Sequence, residues 1–172
     1  MERTFRLIAF ALALAAAALP AGIARAQTDG AATMALSETE TANTTIVEGS
    51  LAAWAAGTGS PYDLLADDVV WTIVGNSLAS KTYPSKAAFI GEVIQPFVAR
   101  MSVGLKPVIR EIHASGDTVV VLFDAAGTAK DGKPYENTYA WFLDLKDGRI
   151  TKATAFFDSI AFNDLWTRVK PE

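Results

Sequence analysis

Asp158 follows Ala155-Phe156-Phe157 and directly precedes Ser159-Ile160, which makes it the residue of this sequence best placed to move a proton. In a pocket walled by Trp and Phe its carboxylate would be desolvated and poised as a general acid or base near neutral pH. At the start of a helix near Ser159 it would instead accept backbone N–H bonds as a cap. A third role is a ligand hydrogen bond without chemistry. Residues 133–145 alternate, and one parity carries Asn137, Tyr139, Trp141, Leu143 and Leu145. Side chains of one parity share one face of a strand. This face would line an apolar pocket and offer it two hydrogen-bonding groups, the mix a small-molecule site needs. The same residues would equally fill a core. Trp71 and Tyr83 bracket another β-branched run and its loop and join the candidate ligand-binding set, Tyr83 either closing the pocket mouth or lying on the surface.

Little other chemistry is available. The sequence has no cysteine and one histidine, which excludes a disulfide scaffold, thiol catalysis and thiolate or multi-histidine metal sites. His113 sits beside the Ser115-Gly116-Asp117 turn, either exposed or paired with a pocket acid. Asp67-Asp68 read as solvated or capping residues in a turn before a strand. No Gly-rich phosphate loop, nucleophile elbow or metal-ligand spacing occurs, so neither a cofactor nor a metal is expected.

The elements that must position these residues change character along the chain. Residues 1–26 have a basic start, an apolar run from Leu7 to Leu19 and an Ala24-Arg25-Ala26 exit, the pattern of a secretory signal peptide cleaved after Ala26. Residues 27–37 read as a flexible arm. Helical periodicity covers residues 37–56, with Ser37-x-x-Glu40 as a capping box. A short second helix is expected at 62–66, a strand at 69–74 and a third helix at 85–101, kinked by Pro96. Strands follow at 105–114, 118–128, 133–145 and 150–158, separated by Gly-containing hairpin turns, and a last helix spans 160–169. Helices followed by a meander of antiparallel strands indicate an α+β domain with helices covering one face of a curved sheet. The net charge of −4 leaves nothing to neutralise a row of phosphates, so no nucleic-acid partner is expected.

Several segments resemble a known family. Asp67 to Gly75 followed by Tyr83, Gly132 to Phe142, and Asp147-Gly148-Arg149-Ile150 followed by Phe156-Phe157-Asp158 are similar, in order and spacing, to landmarks of the SnoaL-like domain. That family lies in the ketosteroid isomerase-like (nuclear transport factor two-like) superfamily. The resemblance implies a cone-shaped α+β barrel over residues 38–172, in which a strongly bent, mainly antiparallel sheet wraps about three N-terminal helices around one apolar pocket. It also implies a homodimer, paired through the outward sheet face around Ala140 and Phe142. Steroid isomerases use an aspartate base with a tyrosine and a protonated carboxylic acid. The shared landmarks put Ile73, Ser50 and Trp141 at those positions, so that machinery is missing. SnoaL-type polyketide cyclases carry a pocket aspartate near the end of the last strand, where Asp158 stands.

The sequence therefore predicts an exported protein, periplasmic or secreted, with no membrane association after signal cleavage. Two classes of function remain open. In one, a cofactor-independent isomerase, cyclase or hydrolase acts on a hydrophobic carbonyl compound. Asp158 moves a proton there, and Asn137 or Tyr139 steadies the developing oxyanion. In the other, a non-catalytic protein binds a small hydrophobic molecule, and Asp158 is structural. A weaker third reading has side chains filling the cone and the sheet face meeting a protein partner.

Overall fold

Ser37 starts the first helix by the reciprocal bonds the sequence implies: its hydroxyl accepts from Glu40 N at 3.2 Å, and Glu40 Oε2 accepts from Ser37 N at 2.7 Å. The structure, a computed structural model, describes residues 35–171. The expected signal peptide and most of the arm lie outside the described residues. Helix α1 (Glu38–Ala56) ends at Gly57, whose left-handed backbone (φ 72°) suits a residue without Cβ. Val47 and Leu51 bury its inner face against the sheet.

Six strands follow: β1 (Leu65–Ile73), β2 (Thr82–Tyr83), β3 (Met101–Ser115), β4 (Thr118–Ala129), β5 (Pro134–Lys146) and β6 (Arg149–Phe157). They form one curved, unclosed sheet in the order β2-β1-β6-β5-β4-β3. Only β1 and β6 pair in parallel; every other neighbour is antiparallel. The α+β expectation holds, with the C-terminal helix α4 at Ser159–Arg168. At the β5–β6 hairpin Asp147 and Gly148 both have positive φ (51° and 73°), as a tight two-residue hairpin turn requires.

Three local expectations change. The second helix expected at 62–66 is a single 3₁₀ turn, Pro61–Leu64, after which β1 begins at once. Asp67 and Asp68 therefore lie inside β1 and not in a turn. The pairing register slips between Leu65 and Val70, and this irregularity lets two successive carboxylates face solvent. The expected helix at 85–101 is split into α2 (Lys86–Phe89), a π-turn (Ile90–Ile94) and α3 (Gln95–Val98), and Met101 already belongs to β3. Pro96 explains the split. It has no N–H for the Glu92 carbonyl and its ring would collide with that carbonyl. The helix widens so that Gln95 N donates to Ile90 O. Among the described residues, no helix is long and apolar enough to cross a membrane.

Strand β5 alternates without error. Tyr135, Asn137, Tyr139, Trp141, Leu143 and Leu145 are buried; Glu136, Thr138 and Phe142 are exposed. On β6, Ala153 and Ala155 face inward. Their small size leaves space above the sheet, and the large aromatics of β1 and β5 fill most of it.

Candidate functional site

The inner face of the sheet and the α2–α3 segment flank a half-open cavity of about 50 Å³. That is room for a few waters, well below the several hundred Å³ of a typical ligand pocket. Its walls are aromatic or aliphatic throughout. Trp71, Tyr139 and Trp141 come from the sheet, Trp54 from α1 and Tyr62 from the 3₁₀ turn; Phe89, Val93, Ile94 and Phe97 close it from the helical side. No carboxylate or imidazole lines it among the described residues.

The aromatics hold one another in place. Trp71 stacks on Phe89, with centroids 4.4 Å apart and planes 13° apart, and meets Trp141 edge-on at 5.3 Å. Trp141 in turn stacks on Trp54 at 6.3 Å. Polar atoms are few. Trp71, 1% exposed, buries its indole Nε1 without a hydrogen-bond partner. The Tyr139 hydroxyl lies 3.1 Å from that of Tyr135. Burial pushes the phenols of Tyr62 and Tyr139 well above their ordinary range, and nearby Tyr135 adds to both shifts. Both therefore stay protonated as donors.

Of the residues the sequence singles out, Trp71, Tyr139 and Trp141 come together on the cavity. Tyr83 is buried one layer behind. Its hydroxyl donates to Ala79 O at 2.6 Å and its ring packs on Phe89 at 5.6 Å, so it supports the wall without lining it. Asn137 faces inward but its amide is fully engaged. Oδ1 accepts from Asp158 N at 2.9 Å, and Nδ2 donates to Asp158 O at 3.0 Å and to Tyr135 Oη at 2.9 Å. Asp158 caps α4: its Oδ1 accepts from Ile160 N at 2.8 Å. Phe157 points to the cavity, so Asp158, one residue on, opens on the other side. It faces a broad outer groove shared with Lys106, Asp124, Glu136 and Thr138. Asn137 also borders this groove, and Asp158 is thus a helix cap that stands outside the aromatic cavity. His113 is exposed on β3, 3.3 Å from Glu111, and lines neither the cavity nor the outer groove. No group of three metal-ligating side chains occurs among the described residues.

Sequence reasoning missed Tyr62, Phe89 and Tyr135 as site residues. Phe89 and Phe97 carried a usable signal, since both lie on the apolar face of the expected third helix. Tyr62 did not: it follows a proline in a stretch too short to show a period.

The family model of the SnoaL-like domain matches residues 44–153, more than half of the chain. Among solved structures, an NTF2-like protein from Burkholderia thailandensis E264 is 21% identical with a TM-score of 0.59, covering 72% of this chain and 95% of its own. A protein named as a SnoaL-like polyketide cyclase, from Jannaschia sp. CCS1, is 18% identical with a TM-score of 0.62, covering 78% and 97%. TerC, co-crystallised with polyporic acid, is 23% identical with a TM-score of 0.57, covering 72% and 97%. At these identities the likeness shows the fold alone. No curated protein matches the sequence.

Proposed function

The chain belongs to the SnoaL-like domain family, and from that premise we propose that it binds a small, largely apolar molecule in the aromatic cavity without using Asp158 for chemistry. One observation carries this reading. The cavity is left open among the largest side chains of the core, and the buried Trp71 N–H on its wall has no partner. A void of this size costs on the order of 1 kcal/mol, and an unpaired buried donor about 1–3 kcal/mol more. A plain core would remove the unpaired donor by exchanging Trp71 for Phe and the void by enlarging a small neighbour such as Ala155. A ligand that fills the void and accepts a hydrogen bond explains why they are kept.

A ligand larger than the present void requires the cavity to widen, and the helical wall is its least regular part. Ser85 caps its start, and buried Arg100 holds its end by donating to Pro96 O at 2.8 Å while stacking on Trp166 at 4.1 Å. Between these anchors lies the π-turn, a feature frequent at functional sites. The proposal includes export, supported by the basic start, apolar run and Ala24-Arg25-Ala26 of the sequence, and pairing of two chains through the outer sheet face, supported by the exposed Phe142 and Phe156 with centroids 6.0 Å apart.

Native mass spectrometry of protein purified gently from its exported form tests the reading. A retained small mass, about one per chain, is the expected result. If no mass is retained, and neither aromatic hydrocarbons nor aromatic ketones saturably quench tryptophan fluorescence, the ligand-binding reading falls. Turnover of the recovered compound that disappears in Asp158→Asn would install the enzymatic reading in its place.

A further inference from the structure

Arg100 is 6% exposed and has no carboxylate partner among the described residues. Its charge is met instead by the carbonyl ends of two helices. Nη1 donates to Pro96 O in the last turn of α3 at 2.8 Å, and Nη2 reaches Trp166 O in the last turn of α4 at 3.4 Å. Helix C-termini carry partial negative charge, so both places suit a cation. The guanidinium also lies over the Trp166 ring at 4.1 Å, and its Nε has no partner. Desolvation lowers its pKa, so burial works against the charged form. An apolar side chain of similar volume would join the two helices at lower cost. What it would not supply is direction. Hydrophobic contact tolerates sliding, whereas a planar guanidinium with fixed donors holds one geometry.

That geometry reaches the cavity through a run of stacked rings. Trp166, under Arg100, stacks on Phe162 with centroids 4.9 Å apart, and Phe162 stacks on Phe97 at 6.1 Å with planes 16° apart. Phe97 from α3 and Phe162 from α4 both line the cavity; Arg100 and Trp166 do not. Among the described residues, Arg100 is the side chain whose hydrogen bonds join α4 to the helical wall. The pairing of Arg168 with Asp131 ties α4 to the β4–β5 turn instead. We propose that Arg100 sets the size of molecule the cavity admits, as a positioning residue that keeps Phe97 and Phe162 at one separation. A molecule that forced these rings apart would draw α3 from α4 and break the bonds of a buried cation, leaving costly unpaired groups. Widening is thereby confined to the π-turn between Ser85 and Arg100. The inference rests on the ligand-binding reading above and adds to it a size class, single-ring over fused-ring apolar molecules.

The test compares toluene with naphthalene, one ring against two, with affinities from NMR titration. The unaltered protein should bind toluene at least as tightly as naphthalene, although naphthalene has more apolar surface and would win in a wall free to yield. Arg100→Met keeps much of the side-chain volume but no directional bond. It should raise the affinity for naphthalene relative to toluene about tenfold, the discrimination a pocket of fixed size supplies. Arg100→Lys keeps the charge but not the planar fork, and should shift the ratio in the same direction by less. Leu165→Ala loosens α4 from a buried position that does not line the cavity, and should leave the ratio unchanged. Tighter binding of naphthalene to the unaltered protein would overturn the inference and leave the binding reading standing. So would an unchanged ratio in the Arg100 variants, or an equal rise in Leu165→Ala. Failure of both compounds to bind any of these proteins would overturn both. Because the first comparison needs no variant, and Arg100→Lys repeats the second, a poorly folding Arg100→Met would not rescue the proposal.

Discussion

Trp71 on β1 and Trp141 on β5 meet edge-to-face, ring centroids 5.3 Å apart and planes at 85°, although β6 runs between their strands. They reach each other because the β6 residues beside them on this face are Ala153 and Ala155. In register, Trp71 stands beside Ala153, and Ala155 lies between Trp141 and Ile73. The cavity is the part of the space above these alanines that the rings do not fill. Ala155→Val adds two methyl groups at a strand position that suits a β-branched residue. Stability should stay level or rise by up to about 1 kcal/mol as the void is filled. Ligand affinity should fall about tenfold, a loss of roughly 1.4 kcal/mol of fit. Chemical denaturation and a binding titration on the same variant check both directions.

Asn137 finishes the sheet where backbone pairing stops. Register between β5 and β6 ends at Tyr139 and Phe157, and the next link is the Asn137 amide on the Asp158 backbone. Asn137→Ala removes three hydrogen bonds and leaves the Asp158 N–H and C=O to find water. The expected loss is about 2–4 kcal/mol, read as a lower midpoint in urea with an unchanged slope. Asn137→Asp, which keeps the shape but loses the amide donors, should cost about as much at neutral pH.

Asp158→Ala should cost about 1 kcal/mol as a lost N-cap, and Asp158→Ser or Asp158→Asn much less, since those side chains cap as well. None of the three should change the affinity for a cavity ligand. Thermal melts and titrations on this set separate the capping role from a catalytic one: a catalytic carboxylate would show the same damage in Asn and Ala.

Glu40 links the first helix to the β3–β4 turn, with Oε1 accepting from Gly116 N at 2.8 Å while Oε2 holds Ser37 N. These bonds favour the charged carboxylate and hold its pKa below the ordinary 4.5, Ser37 contributing most. The sign follows from linkage. The stabilisation is complete above the unfolded value and is lost as pH falls through the lowered folded value. Glu40→Ala should lower Tm at neutral pH, and the gap between variant and parent should narrow steadily as pH drops below 4.5.

All four tyrosines of the sequence, Tyr62, Tyr83, Tyr135 and Tyr139, are held above their ordinary pKa of 10, burial being the first cause in each. Their contribution to stability is intact below pH 10 and is lost above it, because the unfolded chain ionises first. Absorbance at the tyrosinate band should therefore rise only together with alkaline unfolding, as one cooperative step. A separate titration near pH 10 in the folded state would contradict this.

Much of the fold was legible because its signals are local. The Ser37-x-x-Glu40 box, the Asp147-Gly148 turn and the parity of β5 each need only a few neighbouring residues. The site was legible in part. Tyr139 and Trp141 follow from strand alternation alone, whereas Trp71 was marked only by its place in a β-branched run. Asp158 did not, for a physical reason: Ala155 and Phe157 on one face of β6 and Phe156 on the other are all apolar, so alternation does not say which way Asp158 turns. Phe156 proves to be the exposed one, and Asp158 shares its side. Asn137 presented a different difficulty. Its parity was read correctly, but its partners are backbone atoms of a residue 21 positions away, and no side-chain pattern encodes them.

The unclosed sheet leaves β3, fifteen residues long, on a free edge, the kind of surface on which other chains nucleate aggregates. The sequence of that strand works against it. Pro107 cannot donate a ladder bond, Lys106 and Arg110 place charge along it, and the pairing slips at three points between Met101 and Glu111. An irregular, charged, proline-bearing edge is a poor template for a further strand. The open sheet thus carries along its long edge the features that oppose pairing with another chain. Replacing Pro107 and Lys106 by Val should show this as light scattering that rises with time in an otherwise folded protein.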